Sequence, residues 1–322
     1  MENLNQSNLL TICRNQLSKL ATKKIILAYS GGADSSVLLD CLYKISHDRS
    51  ISIRTIHVNH GLSKESINFE NHCIDITNQL NIPHKTIGIK INSLSNVEEK
   101  CRDKRYQVLT ESCQQDEVIC TAHHEEDQIE TFLLRLIRGS GARGLSSMTS
   151  ISKFSEKTIF RPFLKVPKLK IDEYCETNKI SFIQDDSNQN SLLDRNFIRH
   201  NVMILLKQRW PSINKSILNN IDVQQIQSKF IMNNIKTILP SFYLDDHNKL
   251  SVHKLNQEET YMKIMIIHEW IFYQTEVILN LKQINEILKI LQTNNDSNPL
   301  FTFSRIKITK NRDILEVSII KD

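Results

Sequence analysis

A chain of 322 residues with a formal charge of +5, 40% apolar and 24% charged side chains has room for one large or two ordinary globular domains, and it is too apolar for general disorder. No run of 18 apolar residues occurs, which excludes a helical membrane span, and MENLNQSNLLTICRNQLSKL has no signal-peptide core. Seven cysteines without a CxxC pair exclude a disulfide framework and a Cys-rich zinc site, so a reducing cytoplasm is expected, while the mild positive charge permits a nucleic-acid partner without requiring one.

In chain order, KKIILAYS (23–30) is an apolar run of strand length, and helical spacing follows over 35–45. Strands are expected at 52–60, 84–90 and 117–123, each followed by a helix, at 66–80, 96–113 and 125–138. Such alternation predicts an α/β fold, a parallel twisted sheet with helices on both faces. Ligands then bind beyond the carboxyl ends of the strands. Residues 153–170 carry six Lys or Arg against one Glu. Beyond residue 201 long helical stretches dominate, and the end alternates like a strand pair around Asn311-Arg312-Asp313. The expected division is a catalytic domain over 1–205 and a smaller, mostly helical domain over 206–322.

Only seven glycines occur, five of them in the clusters Gly31–Gly32 and Gly139–Gly141–Gly144. Ser30-Gly31-Gly32-Ala33-Asp34-Ser35 joins the first strand to the first helix. Paired glycines let backbone amides approach an anion, the helix N-terminus favours negative charge, and Ser30 and Ser35 add hydroxyls. No Lys follows, so this is not a Walker loop, and Asp34 suits phosphate only if it helps to hold Mg²⁺. A plain capped turn is the bland alternative.

TAHHEEDQIET (121–131) places His123, Asp127 and Glu130 on one helical face at the end of the fourth strand. His124-Glu125 opens an HExxH pattern, but Gln128 stands where its second His belongs. An acid-rich first helical turn is the competing explanation. Gly139 to Gly144 matches GxGxxG but follows a helix, so it is no dinucleotide fingerprint. CRDKRY (101–106) and DRNFIR (194–199) put arginines on helices, and His57 and His60 are taken as structural.

Together SGGADSS, HVNHGL (57–62), CRDKRY, TAHHEEDQIETFLLRLIRGSGARGL (121–145), RPFL (161–164) and DDSNQNSLLDRNFIR (185–199) resemble the tRNA(Ile)-lysidine synthetase branch of the PP-loop ATPases, in that order, over about residues 22–200. The resemblance implies ligation of free L-lysine to C2 of the wobble cytidine in tRNA(Ile) with a CAU anticodon, through an adenylated base, with ATP and Mg²⁺. It implies that Ser30, Gly31, Gly32, Ala33, Asp34 and Ser35 bind ATP, and that Asp34 is the Mg²⁺ ligand. His123, Asp127 and Glu130 would surround lysine and the reacting base, and Arg102, Arg105 and Arg195 would stabilise charge at the adenylate. Lys153, Lys157, Arg161, Lys165 and Lys168 are the expected tRNA phosphate contacts. Glu126 departs from the family's paired aspartates, and the chain resembles the shorter family form; a homodimer stays open. Another PP-loop tRNA-modifying or amide-forming ATPase, or a non-catalytic RNA-binding module, stands as the alternative.

Overall fold

The computed structural model describes residues 8–48, 50–61, 65–90, 97–184, 193–293 and 299–320. Leu62 of HVNHGL, Asn96 at the expected start of the 96–113 helix, and residues 185–192 of DDSNQNSLLDRNFIR lie outside them. The chain forms two compact units, Met1–Thr131 with Met148–Asn214, and Phe132–Ser147 with Lys215–Asp322.

The first unit starts with α1 (Leu9–Leu17) and β1 (Lys24–Ala28), then α2 (Ala33–Asp48), β2 (Ser52–Asn59), α3 (Ser66–Gln79) and β3 (His84–Gly88). It continues through α4 (Val97–Ser112), β4 (Glu117–Cys120) and α5 (Glu125–Ile137), whose last residues join the second unit with α6 (Ala142–Leu145). Next come β5 (Ile151–Phe154), β6 (Lys157–Phe160) and α7 (Lys168–Thr177). The short α8 (Asp194–Phe197), a π-helical turn (Ile198–Val202) and α9 (Met203–Arg209) follow.

Strand order is β3-β2-β1-β4-β6-β5, parallel except for the antiparallel edge strand β5. Successive residues of β1 point to opposite faces. Ile25 and Leu27 pack with Val37, Leu38 and Leu42 of α2 and with residues of α1 and α7, while Ile26 packs with Tyr106 and Leu109 of α4. Apolar side chains on both faces are the sign of a covered parallel sheet, as expected. The β5–β6 hairpin lies within the stretch whose sequence shows mainly its basic residues. Its strands have four residues each, and its turn places Ser155 and Glu156 at positive φ without the Asn-Gly pair that marks such turns.

In the second unit α10 (Ile213–Ile238, beginning just before the unit boundary) leads to a 3₁₀ turn, β7 (Lys249–Ser251), α11 (Val252–Gln257), α12 (Thr260–Thr275) and α13 (Leu281–Leu291). A reciprocal capping box starts α13: Gln283 N–H donates to Asn280 Oδ1, and Asn280 N–H donates to Gln283 Oε1. The expected strand pair is β9 (Ile306–Asn311) with β10 (Ile314–Ile319), turning at Arg312. With β7 and β8 (Leu300–Phe303) it makes an antiparallel sheet ordered β7-β10-β9-β8. Ile306, Ile308, Leu315 and Val317 form one core with Ile266, Trp270 and Ile287. No helix among the described residues is long and apolar enough to cross a membrane.

Candidate active site

Strands β2 and β4 flank β1, so the crossovers diverge there and leave a crevice beyond their carboxyl ends. The chain leaves β1 through Ser30 and turns at Gly31, whose φ is +82°. That conformation favours glycine, and a Cβ there would also sit tightly, 3.1 Å from Cys73 Sγ. Ser30 Oγ accepts the Gly32 N–H at 3.3 Å and lies 3.0 Å from Ser35 Oγ, which donates to Gly32 O at 3.0 Å. These bonds hold the loop open at the N-terminus of α2, where unsatisfied amides and the helix dipole favour an anion. Ile183 N–H donates to Gly31 O at 3.0 Å, which fastens the loop from outside.

Beside it, β4 ends at Cys120 and α5 begins at Glu125. Asp127 Oδ2 accepts the His124 N–H at 2.9 Å, capping the helix. The buried His124 ring faces three carboxylates: Glu126 at 3.2 Å, Asp127 at 3.6 Å and Asp34 at 3.7 Å. Burial alone would lower its pKa, but those carboxylates outweigh burial and raise it. The ring thus stands between the loop and the helix. Lys168, first in α7, adds a cation, with Nζ 2.5 Å from Asp34 Oδ1 and 2.8 Å from Asp172 Oδ1. Its N–H donates to Glu126 Oε2 at 2.8 Å, so Glu126 caps α7 and faces His124 together.

One turn along α5, Glu130 is 2% exposed. Arg199 Nε, on the π-helical turn, donates to its Oε1 at 2.6 Å, whereas the buried Oε2 has no hydrogen-bond partner among the described residues. Burial pushes the Glu130 carboxyl upward against the pull of Arg199. Arg199 Nη2 also lies 3.7 Å from Asp127 Oδ1, and Arg195 donates to Thr131 Oγ1 at 3.1 Å. His123 accepts or donates at Nδ1 with Thr121 Oγ1, 2.8 Å away. Its pKa is driven well down, first by burial and then by the cations of Arg161, Arg102 and Arg105, against the opposite pull of Asp127. The two adjacent histidines are therefore driven in opposite directions, His123 down and His124 up. The Arg102 guanidinium stands 5.3 Å over the Tyr106 ring.

Loop residues 30–35 thus meet the α5 residues at one edge, with Arg102, Arg105 and Arg161 around His123. Three participants are absent from the sequence expectation: His124, Glu126 and Arg199. His124 and Glu126 stood in the same motif, but only their tertiary neighbours mark them. The basic stretch is divided. Lys165 is exposed, Lys153 pairs with Glu156 at 3.5 Å, and Lys157 Nζ donates to Gln114 O at 3.1 Å. Arg161 is buried, donating to Thr149 O at 3.0 Å and Ser152 Oγ at 2.8 Å, and Lys168 sits on the phosphate loop. The hairpin turns Arg161 inward, whereas Lys168 stays partly exposed beside Asp34. Among the described residues no group of three His, Cys, Asp or Glu can hold a metal ion. Asp34, the one carboxylate within residues 30–35 and partly exposed, suits Mg²⁺ that takes its other ligands from phosphate oxygens.

A glycine-bearing loop and an acidic helix start at the switch point of a parallel sheet define a nucleotide-using PP-loop protein, and residues 2–206 match the PP-loop domain family. The chain is 33% identical over 299 residues to the tRNA(Ile)-lysidine synthase of Histophilus somni (strain 129Pt), covering 91% of this chain and 69% of that protein. It is 34% identical over 302 residues to that of Buchnera aphidicola subsp. Acyrthosiphon pisum (strain APS), covering 93% and 68%. Among solved structures, the U34-tRNA thiolase NcsA from Methanococcus maripaludis with its 4Fe-4S cluster is similar in fold, with TM-score 0.55, 16% identity, and 67% of this chain and 78% of that chain covered. The chain belongs to the tRNA(Ile)-lysidine synthase family of PP-loop proteins and is an ATP-dependent ligase.

Proposed function

We propose that this protein joins the ε-amine of free L-lysine to C2 of the wobble cytidine in tRNA(Ile) bearing a CAU anticodon, turning an AUG-reading tRNA into an AUA-reading one. The juxtaposition of loop and acidic helix carries the proposal: Asp34 lies 3.7 Å from His124, and the half-satisfied Glu130 lies one turn beyond on α5. In the first step the cytosine C2 oxygen attacks the α-phosphorus of ATP, pyrophosphate leaves, and the base is adenylated. This activation is needed because a ring carbonyl oxygen is a very poor leaving group. The lysine amine then attacks C2, and AMP departs with the former carbonyl oxygen.

Ser30, Gly31, Gly32, Ala33 and Ser35 hold the phosphates through amides and hydroxyls, and Asp34 holds Mg²⁺, which when bound offsets phosphate charge. The ε-amine arrives mostly protonated, with a reference pKa of about 10.4. Asp127 and Glu130 attract it, and the raised Glu130 carboxyl supports a role as proton acceptor. Neutral His123 donates or accepts a hydrogen bond at the base, while Arg102, Arg105 and Arg195 face the charge that develops on the phosphate. The exposed Lys165, with Lys153 and Lys157, contacts tRNA phosphates. The seven free thiols, six of them buried, fit a reducing cytoplasm, and the sequence has no CxxC pair of the kind used in sulfur transfer.

The test is transfer of radiolabelled lysine with ATP and Mg²⁺ to isoleucine CAU tRNA beside methionine CAU tRNA. Label on the isoleucine tRNA alone, with one pyrophosphate released per lysine, is the expected result. Pyrophosphate release driven by another acceptor, with no lysine transfer, sinks the lysidine assignment.

A further inference from the structure

We propose that Lys168 is a ligand for the phosphate chain of the bound nucleotide, kept at the loop by Asp34 and Asp172. The inference rests on the nucleotide reading of the loop and assigns a residue to it. The loop brings only amides and hydroxyls to an anion, for no lysine lies within it. Its neighbourhood is rich in the wrong charge: Asp34, Glu126, Asp127 and Asp172 stand around the His124 ring and the Lys168 ammonium. A polyphosphate entering there needs a mobile positive group that reaches the loop. His124 is buried with its ring nitrogens turned to carboxylates, whereas the Lys168 side chain is 32% exposed.

The attachment of Lys168 suits that work. Its N–H on Glu126 anchors the backbone, and the four-carbon stem lets the ammonium turn without moving α7. The ammonium has three donors. Asp172, four residues along the same helix, keeps one of them when a phosphate oxygen competes with Asp34. Lys168 then exchanges the Asp34 oxygen for a phosphate oxygen. When the bond between the α-phosphorus and the bridging oxygen breaks, its electron pair stays with pyrophosphate. The ammonium meets that added charge and keeps its own proton.

The experiment measures inorganic pyrophosphate binding by the full chain in metal-free buffer, with tRNA filter binding over a salt series. Lys168→Ala is expected to weaken pyrophosphate binding about 10- to 100-fold, the range for a hydrogen bond to a charged group. Lys168→Arg recovers part of the loss, Lys170→Ala leaves binding unchanged, and the tRNA salt slope stays at the wild-type value. Thermal unfolding checks that the variants fold. In the wild type, pyrophosphate is expected to shield Lys168 from amine acetylation, read by mass spectrometry without any substitution. Pyrophosphate affinity of Lys168→Ala within about twofold of wild type overturns the proposal. A salt slope lower by about one in that variant would make Lys168 a tRNA phosphate contact, and no change in either would leave a structural ion pair. Equal acetylation of Lys168 with and without pyrophosphate also overturns it. If the wild type binds no pyrophosphate at all, the phosphate-loop reading falls as well.

Discussion

Each unit holds a buried glutamate against an arginine beside or within a helix, Glu130 with Arg199 in the first and Glu269 with Arg143 in the second, and these two pairs are built differently. In the second unit Arg143 of α6 meets both oxygens of Glu269 on α12 through Nε and Nη2, and its guanidinium lies 3.8 Å over the Phe272 ring. Burial works to raise the Glu269 carboxyl, but His268 and Arg143 outweigh it and hold it low. In the first unit Arg199 meets one oxygen of Glu130, the other is buried and unmet, and the carboxyl is raised. A satisfied pair ties its elements together, while a half-satisfied one keeps capacity for a ligand. Exposure is nearly the same at the two glutamates, 2% and 3%, so their neighbours make the difference: Asp127 repels at Glu130, while His268 adds to Arg143 at Glu269.

The contrast can be broken most sharply by removing the charge from Glu130. Glu130→Gln is expected to lower lysine transfer by about 10²- to 10⁴-fold, the span of a lost general base, with unfolding free energy changed by no more than about 1 kcal/mol. Full lysine transfer by that variant would remove Glu130 from the chemistry. Glu269→Ala should do the reverse. It leaves the Arg143 guanidinium buried without its carboxylate, and denaturant unfolding should show a loss of about 3–5 kcal/mol. A loss below about 1 kcal/mol would show Arg143 free to reach water.

The pH dependence should separate the pairs more gently. Glu130 is raised above its ordinary 4.5, so its contribution to stability is complete below that value and declines as pH rises through the raised one. Glu269 is lowered, so its contribution is present above 4.5 and disappears as pH falls through the depressed value. Thermal midpoints of Glu130→Gln and Glu269→Gln against wild type, from about pH 3 to 7, should therefore diverge in opposite directions. Parallel curves would mean that the glutamates have like environments. The smallest effect concerns tRNA: replacing Lys153, Lys157 and Lys165 together by Ala should reduce the salt slope by about two to three. An unchanged slope would put the tRNA elsewhere on the surface.

Much of this molecule is legible in its sequence because the signals are local. The apolar run of β1, the glycines after it and the acidic start of α5 each show within a few residues, and the strand–helix alternation points to a parallel sheet. The β5–β6 hairpin escaped because four-residue strands joined by Ser155-Glu156 carry neither strong periodicity nor turn chemistry. β7 escaped for a related reason, having three residues, and the alternating stretch that holds β8 and β9 is broken in two at Ser304, whose φ is positive. At the site, His123, Asp127 and Glu130 share a helical face that spacing reveals. Lys168 and Arg161 look like surface cations in a basic stretch, yet one sits on the phosphate loop and the other is buried.

What the sequence by itself determined, then, is the succession of elements, the phosphate loop and the acidic helix, since periodicity, caps and glycine freedom act over one or two turns. Tertiary structure alone decided which charges meet. Strand order brings Asp34 to Lys168 across 134 positions and Glu130 to Arg199 across 69. The energy of a charge depends on burial and on neighbours from distant segments, and no local pattern encodes those.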